Sequence, residues 1–153
     1  VESIIDKTLW DRRLINNFKK NLSQILNEIY KVSYSINANK KISVSLSFAG
    51  DKKITKLNDF YRKKNLPTNV LAFPYLKKRK NEIFLGDIIF SAETILKEAK
   101  RDGKSFNNHL IHLFIHSFLH LLGYDHQTEE KAKIMERLEI KILKNLKIDN
   151  PYE

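Results

Sequence analysis

The chain of 153 residues contains no cysteine, so it has neither a disulfide framework nor a thiolate to serve as metal ligand or nucleophile. Glycine occurs four times and proline three times, too few for a linker-rich or low-complexity chain. Acidic residues are the minority charge, with 18 Asp plus Glu against 28 Lys plus Arg and a formal net charge of +10. Such an excess favours polyanions as partners, nucleic acid first. Codon bias toward Lys, Asn and Ile gives the same excess, so charge alone selects no partner. No apolar run is long enough to span a bilayer; the best, residues 110–122, is short and interrupted by histidine. No basic-then-apolar leader opens the chain, and Val1 in place of methionine indicates that the numbering omits its start. With 42% hydrophobic and 30% charged residues, the expectation is one cytoplasmic globular domain over residues 1–153, with no membrane contact. Oligomeric state is not legible.

What is present has clear periodicity. Residues 11–30 carry Leu14, Phe18, Leu22, Ile25, Leu26 and Ile29 at helical spacing, after a short strand at residues 3–5. Residues 41–48 alternate, Ile42, Val44, Leu46 and Phe48 on one face and serines on the other, which predicts a half-buried strand. Asp51 is placed to cap a helix over residues 52–63, and Leu66-Pro67 ends it. Strands over 70–75 and 83–90, separated by the basic loop 77–81, read as a hairpin. Ser91 caps a helix over 92–101 that Gly103 terminates, and Ser105 caps the next. Thr128 opens the last helix, with Glu129 and Glu130 in its first turn and Lys141, Lys144 and Lys147 toward its end. Helices mixed with a small sheet predict an α+β fold.

Residues 106–122 are apolar almost all round, which predicts a central buried helix; its exceptions are largely histidines, at 109, 112, 116 and 120. His116 and His120 lie one turn apart on one face. Gly123 supplies the left-handed conformation that stops a helix and lets the chain return His126 to the pair. Three imidazoles converging from a helix and the following loop describe a catalytic zinc site, one Zn²⁺ with its fourth position left to water. His109 reads as a hydrogen-bonded core residue, and His112 either as another such core residue or as part of the cleft floor. Serine at 117 stands where zinc peptidases of the His-Glu signature place their general base, which argues against that peptidase mechanism. Asp125 either orients an imidazole or serves the turn after Gly123, Asp87 is either structural or near the cleft, and Tyr124 reads as packing.

The segment His116-Ser-Phe-Leu-His120-Leu-Leu-Gly-Tyr-Asp-His126 resembles the signature of the YbeY family, His-Gly-x-x-His-Leu-x-Gly-Tyr-Asp-His, with Ser117 in place of glycine. Leu57-Asn-Asp-Phe-Tyr-Arg62 with Pro67-Thr-Asn-Val-Leu-Ala-Phe-Pro74, and Leu85-Gly-Asp-Ile-Ile-Phe-Ser91, are similar to two further family blocks; Asn69 and Ala72 depart from the usual Asp and Ser. The resemblance implies a zincin-like α+β fold, with a small, mostly parallel sheet, an antiparallel edge and packed helices. It implies a zinc-dependent, single-strand-specific endoribonuclease acting in 16S rRNA 3′-end maturation and ribosome quality control. Its partners would be RNA, the ribosome or small-subunit proteins, and a ribosome-associated GTPase. It also makes Arg62 the catalytic guanidinium; from the residues alone Arg62 is equally an ordinary solvated helix end. Arg62, Lys63, Lys64 and residues 77–80 are the candidate RNA track. The competing reading is a non-catalytic RNA-binding ribosome assembly factor with a structural zinc. A peptide or small-amide hydrolase is a third, disfavoured by Ser117 and the basic charge.

Overall fold

A computed structural model describes residues 2–33 and 40–153. Along the chain run β1 (Glu2–Ile5), α1 (Arg12–Val32), β2 (Lys41–Ala49), α2 (Asp51–Arg62), β3 (Val70–Lys78), β4 (Glu82–Ser91), α3 (Ala92–Arg101), α4 (Phe106–Leu121) and α5 (Glu129–Asn145). The strands form one sheet in the order β1-β2-β4-β3. β1, β2 and β4 are parallel, and β3 is the antiparallel edge. The fold is therefore α+β, a small mixed sheet packed by helices.

Alternation in β2 decides the layering. Val44, Leu46 and Phe48 are buried on one face, where they join Ile88 and Phe90 of β4 and the apolar stripes of α1, α4 and α5. On the opposite face, Ile54 of α2 packs with Leu71 and Ile89 in a smaller cluster. Phe18 of α1 ties the layers together, meeting Phe48, Phe90 and Phe114 edge-on with ring centroids 6.0, 6.5 and 5.4 Å apart. The stripe of α1 is rotated slightly from the expected one: Ile15, not Leu14, is buried.

Two expected caps are exchanged for a tertiary contact. Asp51 and Ser91 each stand at a helix start, yet neither side chain caps its own helix. Ser91 and Thr94 instead donate their hydroxyls to the Asp51 carboxylate, and Glu93 accepts the Asp51 backbone N–H at 3.0 Å. The two helix N-termini thus satisfy one another across the sheet end. α2 also stops earlier than its proline suggests, because Lys63 takes a left-handed conformation at φ 55°.

The basic loop of residues 77–81 is shorter than expected, since Lys77 and Lys78 belong to β3. Between Pro74 and Lys77 the register with β4 shifts, so β3 carries a bulge. Gly86 permits it: at φ 143° a Cβ would lie 2.1 Å from the Phe73 carbonyl oxygen. Proline is tolerated opposite because β3 is an edge strand.

Candidate active site

Ser105 starts α4 by accepting the Asn108 N–H at 3.1 Å. Ten of the helix's sixteen residues are buried, and it packs against β3, β4 and helices α1, α3 and α5. At its other end Gly123, with φ 105°, closes a Schellman turn: its N–H reaches His120 O at 3.0 Å and Tyr124 N–H reaches Leu119 O at 3.1 Å. That turn carries His126 back over the helix. The His116 and His126 rings lie 5.6 Å apart and nearly parallel at 20°, and His120 and His126 lie 6.5 Å apart at 22°.

These three rings line a cleft of about 460 Å³ together with Tyr61, Arg62 and the start of β3. Arg62 arrives from the last turn of α2, is exposed, and has no ion-pair or hydrogen-bond partner among the described residues. The sequence-expected residues therefore share one cleft. They are not yet a closed ligand set: among the described residues no three His, Asp or Glu groups are gathered to hold an ion. Imidazoles sharing one tetrahedral zinc have ring centroids roughly 5 Å apart, so the wider pair has to close by roughly 1 Å.

The hydrogen bonds show which ring nitrogens are available. His116 Nδ1 lies 2.9 Å from Glu139 Oε1, and His120 Nδ1 lies 3.2 Å from the Tyr124 carbonyl oxygen. A carboxylate and a carbonyl only accept, so both protons sit on Nδ1 and both Nε2 lone pairs are free to bind a cation. This donor set fits a zinc ion.

Glu139 belongs to none of the sequence motifs that mark the histidines. It is fully buried on α5, and it also takes His112 Nε2 at 3.1 Å and the Tyr152 hydroxyl at 2.8 Å. Burial pushes its carboxyl up, but the hydrogen bonds from His112 and His116, the His116 charge and the Tyr152 hydroxyl outweigh that and hold it at about 2. Burial, then the neighbouring Glu139 charge, raises the Tyr152 hydroxyl. A signal was present: Met135, Glu139, Ile142 and Leu143 form the buried stripe of α5, so helical period puts a carboxylate among core positions.

This arrangement selects the core reading of His112 over the cleft floor. His112 sits behind Glu139 and lines a separate small cavity with His109, rather than the floor of the histidine cleft. His109 is buried, with Nε2 2.9 Å from Glu98 Oε1; desolvation lowers its pKa against the pull of Glu98. Asp125 serves the turn, accepting Gln127 N–H at 3.1 Å and Lys131 Nζ at 3.4 Å. Asp87 pairs with Phe73 and Ser45 inside the sheet and does not line the cleft. Tyr124 packs against the main core.

Ser117 is buried in the cleft wall, and its Oγ has no partner among the described residues. Asn69 has a definite role: its Nδ2 donates to Glu98 Oε1 at 2.8 Å, the oxygen that also faces His109. Asn69→Asp replaces that donor with a second carboxylate, and stability is expected to fall by about 1–3 kcal/mol in urea denaturation. Unchanged stability would mean the bond contributes nothing.

A family model described as "Endoribonuclease YbeY" matches residues 7–147. A protein named Endoribonuclease YbeY from Bartonella quintana is 47% identical over 112 residues, covering 71% of each chain. Its namesake from Rhizobium etli is 47% identical over 113 residues, covering 72% of this chain and 66% of its own. The solution structure of TM1509 from Thermotoga maritima superposes with a TM-score of 0.55 at 22% identity, over 95% of this chain and 91% of that one. That last likeness concerns the fold.

Proposed function

The chain belongs to the YbeY family, and on that premise we propose that it is a zinc-dependent endoribonuclease cutting single-stranded RNA, with its task in 16S rRNA 3′-end maturation and ribosome quality control. In this reading the fold is zincin-like and α4 is its central, histidine-bearing helix. The observation that carries the proposal is the convergence of His116, His120, His126 and Arg62 on one cleft.

His116 and His120 would hold the ion through Nε2, their Nδ1 protons being committed to Glu139 and Tyr124, and His126 would be the third ligand. When bound, zinc supplies Lewis-acid activation of water and of a phosphodiester. The chain's own residues do the rest. Arg62 lines the cleft with no partner among the described residues, and its guanidinium would meet the negative charge that develops on the phosphoryl oxygens. The net charge of +10 draws in the polyanion. The buried Glu139 carboxylate holds the His116 ring in place.

A structural staple needs a fourth protein ligand. Asp125 is engaged by the turn and Lys131, and His112 faces Glu139, so neither candidate points to the cleft that the three histidines line. The enzyme reading is favoured over the assembly factor on that ground. Family-level partners accompany it: small-subunit proteins and a ribosome-associated GTPase, met in the cytoplasm. No helix of the described residues is long and apolar enough to cross a membrane.

Zinc-loaded protein is expected to cleave single-stranded RNA. Arg62→Ala should keep its zinc and lose about 10²–10³-fold in turnover, the usual effect of removing one charge-stabilising donor. Unchanged cleavage would remove Arg62 from the mechanism.

A further inference from the structure

The outer stretch of β3, from Pro74 to Lys78, is exposed. There Tyr75 and Phe84 line a groove of about 530 Å³ with Lys41, Lys77 and Arg79. Their rings are 6.5 Å apart and inclined at 65°. Tyr75 is 64% exposed, on the stretch of β3 where the register with β4 shifts. Aromatic contacts continue at the cleft end of β3, where Phe73 meets Tyr61 at 4.9 Å and Tyr61 meets Phe60 at 4.7 Å. Tyr61 and Phe73 themselves line the histidine cleft. β3 therefore runs from the candidate active site to the groove, with aromatic faces at both ends.

The exposed Tyr75 ring and the half-buried Phe84 ring beside cations, with Glu82 the one carboxylate among the described lining residues, match a particular ligand chemistry. Unpaired bases present π-faces that stack on such rings, while the phosphates between them meet Lys77 and Arg79. A duplex hides those faces. We propose that the Tyr75–Phe84 groove is a second RNA subsite, which holds unpaired bases of the strand whose scissile phosphate lies in the histidine cleft. The proposal rests on the endoribonuclease reading and adds to it a place, set by β3, where the substrate must be single-stranded.

The test uses the full chain and a fluorescein-labelled oligouridylate of about twelve residues, a length within the usual reach of single-strand sites. Anisotropy is read in EDTA so that nothing is cut. Tyr75→Ala is expected to weaken binding about tenfold, as losing one stacked base does. Tyr75→Phe should restore it. Leu76→Ala, a truncation on the same exposed stretch but outside the groove, should bind like wild type. An abasic oligomer of equal length and charge should bind wild type about tenfold more weakly, with no further loss in Tyr75→Ala. If Tyr75→Ala binds as tightly as wild type, or the abasic strand as tightly as the oligouridylate, the groove is not a stacking subsite. A wild type that neither binds the oligomer nor, with zinc, cleaves it overturns the endoribonuclease reading as well.

Discussion

His120→Ala is expected to remove zinc and RNA cleavage together. His120 Nδ1 is bonded to the Tyr124 carbonyl, and its Nε2 has no hydrogen-bond partner among the described residues. Loss of a direct ligand should weaken zinc by more than the 10–100-fold that outer partners carry. Cleavage should fall by on the order of a thousandfold or more, because the Lewis acid leaves with the ligand. The fold should survive, since the ring is only partly buried and its one hydrogen bond is to a turn that Gly123 already closes. The measurement is zinc content after dialysis, beside cleavage of a labelled single strand and far-UV circular dichroism. Full zinc and full activity in a folded variant would dismiss His120 as a ligand.

Glu139→Gln is expected to have the second large effect, in two separable readouts. The carboxylate takes three donors from His112, His116 and Tyr152, and an amide cannot accept all three with one oxygen. Zinc affinity, measured by competition with a chelating dye, should drop 10–100-fold as His116 loses its charged acceptor. Metal-free stability should fall by about 3 kcal/mol, as when one member of a buried ionic cluster is removed. The acid limb follows from the sign of the shift. Glu139 titrates near 2 instead of the ordinary 4.5, so its stabilisation is complete above about 4.5 and lost as pH falls toward 2. The metal-free wild type should lose on the order of 3 kcal/mol across that window, and the glutamine variant should lack that part of the slope. Parallel acid limbs would show that Glu139 is not the coupled carboxylate.

Legibility of the site in the sequence tracked distance along the chain. Ser105, the histidine stripe and Gly123 are all local signals, and the structure realises the cap, the helix and the Schellman turn that they specify. Glu139 needs a tertiary fact, the packing of α5 on α4, before its carboxylate can be paired with His116. Its place among the core positions of α5 was the available clue. Tyr152 lies past the last helix and gave no signal at all.

The fold shows the same division. Alternation in β2 specified its buried face, and the hairpin of β3 and β4 was readable from two runs around a basic turn. Periodicity does not report the bulge before Lys77, which arises where the Phe73 carbonyl closes on Gly86. The exchange of Asp51 and Ser91 was hidden because each is a good local cap. Only the meeting of α2 and α3 makes the Ser91 hydroxyl more useful to Asp51 than to its own helix. Arg62 is the intermediate case: exposure made it look ordinary, whereas the position of α2 brings it to the histidines.

The most direct measurement is X-ray absorption at the zinc K-edge on protein loaded with one equivalent of the metal. Three imidazole nitrogens at about 2.0–2.1 Å and one further light-atom ligand from solvent are expected, with the nitrogen shell lost in His116→Ala, His120→Ala and His126→Ala alike. A shell closed by four side chains, or one that keeps its imidazoles in those variants, would contradict the three-histidine site.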